Sequence, residues 1–85
     1  MDATALKDPR QRVVGRRETL KRIIRGTASR VFIARDADPH IVAEITQICE
    51  DRQVAVEFVD TMIQLGRMCG IDVGAACAAM VPRRQ

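Results

Sequence analysis

Gly74-Ala75-Ala76-Cys77-Ala78-Ala79-Met80-Val81 is the stretch on which the fold turns. Alanine is the strongest helix former, so propensity alone argues for a helix. The run is short, however, is bounded by Gly74 and Pro82, and has no polar face. A central strand, thin enough for helices to pack closely on both sides, is equally allowed. The residues of this segment leave both readings open.

The segments around it narrow the choice of architecture. Immediately before it, Met62, Leu65 and Met68/Cys69 mark a helix that Asp60 or Thr61 can cap and Gly70 can close. Val54 to Val59 is rich in β-formers. Asp36-Ala37-Asp38-Pro39 reads as a helix start, with Asp38 as N-cap and Pro39 in the first helical position. Ile41, Ile45, Ile48 and Cys49 then recur at helical spacing on one stripe. Val31-Phe32-Ile33-Ala34 is wholly apolar, as expected of a strand covered on both faces. Arg16 to Arg25 is a basic helix ended by Gly26, and Arg12-Val13-Val14 a short edge strand. Residues 1–10 form a loose N-terminal segment, with one helical turn ended before Pro9, and residues 82–85 a basic tail. Strands that alternate with helices indicate a layered α/β fold.

A chain of 85 residues makes one small domain, taken as 1–85. Its charge is more telling in distribution than in total. The net charge is only +3, but residues 1–30 carry nine Lys/Arg against three Asp/Glu, while residues 31–60 carry two against seven. Such separation suggests one face for a polyanion and another for solvent or a different partner. Phe32 and Phe58 are the only Phe, Tyr or Trp residues, so binding by aromatic stacking platforms is not expected. Cys49, Cys69 and Cys77 are odd in number and lack a CxxC, which fits neither a disulfide framework nor a zinc site and points to a reducing, cytoplasmic setting. No segment reads as a signal peptide or approaches a membrane span.

Within the basic third, Gly15-Arg16-Arg17-Glu18-Thr19-Leu20-Lys21 concentrates chemistry at a helix start. Free amides and the helix dipole favour an anion there. If Leu20, Ile23 and Ile24 are buried, Glu18, Lys21, Arg22 and Arg25 gather on the opposite side and Arg17 lies on the flank. The carboxylate of Glu18 would repel bare phosphate. It suits base reading, since Glu accepts from amino and imino donors while Lys donates to guanine O6. A bland account competes at each position. A charged helix face is commonly just solvated, and Glu18 can pair with Lys21 or Arg22 for only about 0.2–0.5 kcal/mol. Asp36 and Asp38 form a capping turn more readily than a metal or acid/base pair. Ile71 and Val73 can be ordinary packing residues.

Taken together, Gly15-x-x-Glu18-x-x-Lys21, Gly26, Ile33-Ala34-x-Asp36-x-Asp38-Pro39, Cys49-Glu50, Leu65-Gly66-Arg67-x-Cys69-Gly70-Ile71-Asp72-Val73 and Ala75-Ala76 resemble the kink-turn RNA-binding ribosomal protein family. That family includes archaeal ribosomal protein L7Ae and small bacterial YbxF-type proteins. The resemblance runs from about Val13 to Val81. It implies a single-domain, three-layer α-β-α sandwich around a mixed sheet of about four strands, and with it a strand for the alanine-rich segment. It also implies a non-catalytic protein whose partner is structured RNA containing a kink-turn; a monomer with no cofactor, no metal and no membrane is expected. Carried over by position, Gly15 and the amides after it would approach the RNA backbone, Glu18 would accept from a sheared guanine and Lys21 would donate to a guanine oxygen. Arg16, Arg17 and Arg25 would add cationic contacts. Ile71, Asp72 and Val73 would press on the kinked strand, with Arg67 nearby, and Asp38 and Val42 would lie near the extruded base. Two positions depart from the family: Arg17 stands where the archaeal branch has Asn, and Met62 where Lys is frequent. The alternative is a protein–protein module on the same fold, whose natural surface is the acidic middle third. An enzyme is not expected, since the chain has no phosphate-binding glycine loop, metal-ligand spacing or nucleophile–base set.

Overall fold

In the computed structural model, which describes residues 4–82, the alanine-rich segment is a strand. After a 3₁₀ turn at Thr4–Lys7 come β1 (Arg12–Val14), α1 (Arg16–Arg25), β2 (Arg30–Ala34), α2 (Pro39–Asp51), β3 (Ala55–Val59), α3 (Met62–Met68) and β4 (Cys77–Met80). The sheet order is β1-β4-β2-β3, with β2 and β3 parallel and β4 antiparallel to both β1 and β2. The expectation of a three-layer α/β sandwich around four strands holds.

The period-two alternation of the strands divides the core in two. Val31 and Ile33 of β2, with Cys77 and Ala79 of β4, face Ile23 of α1 and Ile45 and Cys49 of α2. Phe32, Ala34 and Ala78 face the other way, onto Leu65 and Cys69 of the α3 segment and Leu6 of the first turn. β4 can lie between two helical layers because Cys77, Ala78 and Ala79, all fully buried, project so little from the sheet. Tertiary burial on both faces overrides alanine's helix propensity here.

Two expectations are revised. The N-terminal turn is not loose: Leu6 is fully buried, and Arg12 donates from Nε to the Leu6 carbonyl at 3.0 Å and from Nη2 to that of Cys69 at 3.2 Å. The buried stripe of α1 is not Leu20, Ile23 and Ile24. Thr19 and Ile23, one turn apart, are buried, Leu20 is half-buried, and Ile24 is 54% exposed. Packing of α1 on β4 selects the small hydroxyl residue because the helix lies close to the sheet. Residues 1–3 and 83–85, and with them the start of the N-terminal segment and the arginines of the basic tail, lie outside the described residues.

Candidate nucleic-acid interface

Strand directions bring most of the expected site residues to one end of the molecule. β1, β2 and β3 run the same way, so α1, α2 and α3, which follow them, all begin at the same end of the sheet. The loop of residues 70–76 enters β4 at that end. In open α/β sheets this is where ligands are taken, outside the carboxyl ends of the strands. Gly15, Arg16, Arg17, Glu18, Asp38, Met62 and Ile71–Val73 are gathered there. Lys21 lies one turn further along α1. Arg25 is not part of the group: ten residues at about 1.5 Å rise put it roughly 14 Å from the start of α1. Arg67 is exposed in the last turn of α3.

Gly15 makes the α1 start possible. Its φ of 96° is a conformation that a side chain strains, and its N–H donates to the Cys77 carbonyl at 2.8 Å. That amide is consequently committed to the sheet, and Gly15 can meet a ligand only through its open Cα side. The N–H groups of Arg16, Arg17 and Glu18 come next and have no intrahelical acceptor, and no side chain caps them. The first of the ladder bonds is Thr19 N–H to the Gly15 carbonyl at 3.0 Å.

Around these amides the side chains differ in freedom. Arg16 is clamped by α2, donating from Nε and Nη2 to the two Glu44 oxygens at 2.6 and 2.9 Å. The hydrogen bonds raise the Arg16 pKa and lower that of Glu44. Arg17 and Arg25 are exposed, and neither makes an ion pair among the described residues. Lys21 Nζ stands 3.4 Å from Glu18 Oε2, so the local pair and an outward-facing carboxylate coexist. In water such a pair opens at little cost.

The loop beside α1 is held by glycine. A Cβ on Gly66 would lie 2.0 Å from the Val73 carbonyl oxygen, so the loop rests directly on the α3 backbone. Gly74 likewise packs on Met62, whose carbonyl accepts from Ala75 N–H at 3.0 Å. Met62 is thus half-buried and part of the loop's support. Ile71 packs on the core, Asp72 is exposed, and Val73 is 69% exposed on a backbone that cannot easily shift. The need for Gly66 was not evident from its spacing, because the partner atom belongs to a loop of irregular shape.

Asp36 and Asp38 are capping residues. Asp38 Oδ1 accepts from His40 N–H at 2.8 Å, and Asp36 Oδ1 accepts from Met62 N–H at 2.8 Å across the turn to α3. Val42 is half-buried on α2. The three cysteines are free and fully buried, and burial pushes the Cys49 thiol up to about 11 and those of Cys69 and Cys77 upward as well. They are core residues, poor as nucleophiles. Among the described residues no three His, Cys, Asp or Glu are grouped to hold a metal ion, and no helix is long and apolar enough to cross a membrane.

Comparison with known proteins places the chain in one family. The model of the "Ribosomal protein L7Ae/L30e/S12e/Gadd45 family" matches residues 2–85. An RNA-binding protein of Caldanaerobacter subterraneus subsp. tengcongensis is 49% identical over 73 residues, covering 86% of this chain and 89% of the relative. Large ribosomal subunit protein eL8 of Halobacterium salinarum is 41% identical over 68 residues, 79% of this chain and 57% of its own. Among solved structures, the Giardia lamblia 15.5kD RNA binding protein superposes with a TM-score of 0.85 at 33% identity, over 95% of this chain and 71% of the other.

Proposed function

Because the chain belongs to the ribosomal protein L7Ae/L30e/S12e/Gadd45 family, we propose that it is a non-catalytic RNA-binding protein that recognises kink-turns in structured RNA as a monomer in the cytoplasm. The observation that carries this reading is the uncapped start of α1, where the open amides of Arg16, Arg17 and Glu18 sit among cations beside a glycine-locked loop. Amides and Arg17 suit phosphate, and Arg17 can also grip guanine O6 and N7 in a bidentate fashion. Glu18 accepts from the amino and imino groups of a sheared guanine, and Lys21, once released from it, donates to a guanine oxygen. The rigid Val73 side chain meets the sugar–base surface of the bent strand. Asp38 and Val42 flank the extruded base, and Asp38 does so while capping α2. Met62 in place of a lysine leaves that flank with less attraction for phosphate, and Arg67 supplies a more distant charge.

The test is differential. Glu18→Ala should weaken binding to a kink-turn by about 1–3 kcal/mol, roughly tenfold or more, and leave binding to a fully paired hairpin nearly unchanged. Arg25→Ala should weaken both alike and reduce the salt dependence. Equal losses on both RNAs for Glu18→Ala in a calorimetric titration at fixed salt would remove base reading from the mechanism.

A further inference from the structure

A recess lies between the outer side of α2 and β3, reaching from the start of α2 along its outer face. It is a groove of about 470 Å³ whose walls include Pro39, Val42, Thr46 and Glu50, with Phe58 and Arg35 on the other side. We propose that this groove and the free edge of β3 together take an extended peptide segment of a protein partner, one presenting an apolar side chain flanked by lysine or arginine.

The edge and the groove are made by the same residues. β3 has β2 on one side and no strand on the other among the described residues. The Val59 carbonyl accepts from Arg35 N–H at 2.8 Å and so points into the sheet. Backbone groups alternate along a strand, which turns the N–H and C=O of Val56 and Phe58 to the open edge. Val56 and Phe58 pair with Val31 and Ile33, so their side chains stand on the α2 side. A segment added along β3 would hydrogen-bond to those two residues and drop every second side chain over the groove. The groove offers that side chain an apolar surface: Phe58 is 41% exposed, its ring covered at one end by the Arg35 guanidinium 5.1 Å from the centroid. Thr46 Oγ1, in the same wall, is shielded from solvent and has no hydrogen-bond partner among the described residues.

Charge selects the class of occupant. Glu50 makes no ion pair among the described residues, and Arg35 is already held by Asp60 at 3.6 Å. Of the other carboxylates in residues 31–60, Glu44 is tied to Arg16, Asp36 and Asp38 accept from backbone amides, and Glu57 stands 3.5 Å from Arg30, which leaves Glu50 as the unpaired charge of the groove wall. Such a surface repels phosphodiesters and draws a cationic polypeptide. The groove shares Val42 with the proposed RNA contact, while Thr46, Glu50, Phe58 and the β3 edge lie outside that contact.

The probe is a blocked heptapeptide, Thr-Lys-Thr-Leu-Thr-Lys-Thr, which places leucine and both lysines on one face of a strand. Titrated into the full chain, it should shift the amide resonances of Val56, Phe58 and the outer face of α2. It should also slow hydrogen exchange at the Val56 and Phe58 amides by about tenfold or more at saturation. Glu50→Lys, a surface change, should weaken the peptide about tenfold, and replacing its lysines by glutamate or its leucine by glycine should do the same or worse. The proposal fails if resonances of this flank do not move at millimolar peptide, or if the glutamate peptide binds as well. Occupation of the groove by single-stranded oligouridine in preference to the peptide would also overturn it, as would dimerisation through β3 in sedimentation experiments.

Discussion

The three helices begin at the same end of the sheet and treat their first amides differently. In α2 no amide is left over: Pro39 has none, Asp38 Oδ1 takes that of His40, and the Asp38 carbonyl takes that of Ile41. In α3, Asp36 takes Met62 N–H and Thr61 Oγ1 takes Gln64 N–H, which leaves Ile63. In α1, the amides of Arg16, Arg17 and Glu18 stay open behind a glycine that cannot cap them with a side chain. No amide is left over in α2, one in α3 and three in α1, at the point where the side chains are richest in charge. The carboxylates differ accordingly: Asp36 and Asp38 are engaged by backbone amides, whereas among the described residues Glu18 is engaged by an exposed lysine alone.

The largest expected effect breaks the comparison by disturbing what faces the α1 start. Gly66→Ala would force its Cβ into the Val73 carbonyl and should destabilise the protein by up to about 3 kcal/mol, read from chemical denaturation. RNA affinity should fall with it, since the loop must lift. Next is Gly15→Ala. Nothing crowds a Cβ there, so the cost is conformational, about 1–3 kcal/mol for holding a non-glycine residue at this φ. Gly15→Ser should cost a similar amount although serine is a better cap by type, because the strain outweighs the capping bond. Asp38→Ala sharpens the contrast, with a loss of about 1 kcal/mol in thermal melts that arises purely from the cap.

The smallest effect concerns the tie between α1 and α2. The Glu44 carboxyl titrates below its ordinary 4.5 because of its hydrogen bonds to Arg16. A lowered carboxylate pKa means that the stabilisation is complete above that ordinary value and is lost as pH falls through the lowered one. Acidification should therefore release Arg16 with only a slight fall in melting temperature. The Arg16 Nε–H resonance would report the release, and an Arg16→Ala variant should show no such pH step.

Much of this was legible in the residues, and the rest was hidden for definable reasons. Helix limits were readable because their signals are local: Asp38-Pro39 opens α2 and Gly26, with φ of 75°, closes α1. The alanine-rich segment was not readable from its own composition, since burial on both faces decided it. The rotation of α1 that buries Thr19 and exposes Ile24 was missed because hydrophobicity alone ranks isoleucine inward, while the close approach to β4 favours a smaller residue. At the candidate site, the charges of Arg17, Glu18 and Lys21 could be placed from helical spacing. The clamp of Arg16 by Glu44 and the pressure of Val73 on Gly66 join residues distant in sequence and follow only from the packed layers.

β4 carries a consequence for the outer surface. Its side chains are the spacer between the two helical layers, and their small size sets the thickness of the molecule at its middle. A bulkier residue at Ala79, on the face shared with Ile23, would act as a shim and prise α1 outward. The hydrogen bond from Gly15 to Cys77 anchors the angle at which α1 departs, so that shim would also change where Arg17 and Glu18 aim. A strand whose Cys77, Ala78 and Ala79 are fully buried thereby governs the bearing of the helix that carries Arg17 and Glu18.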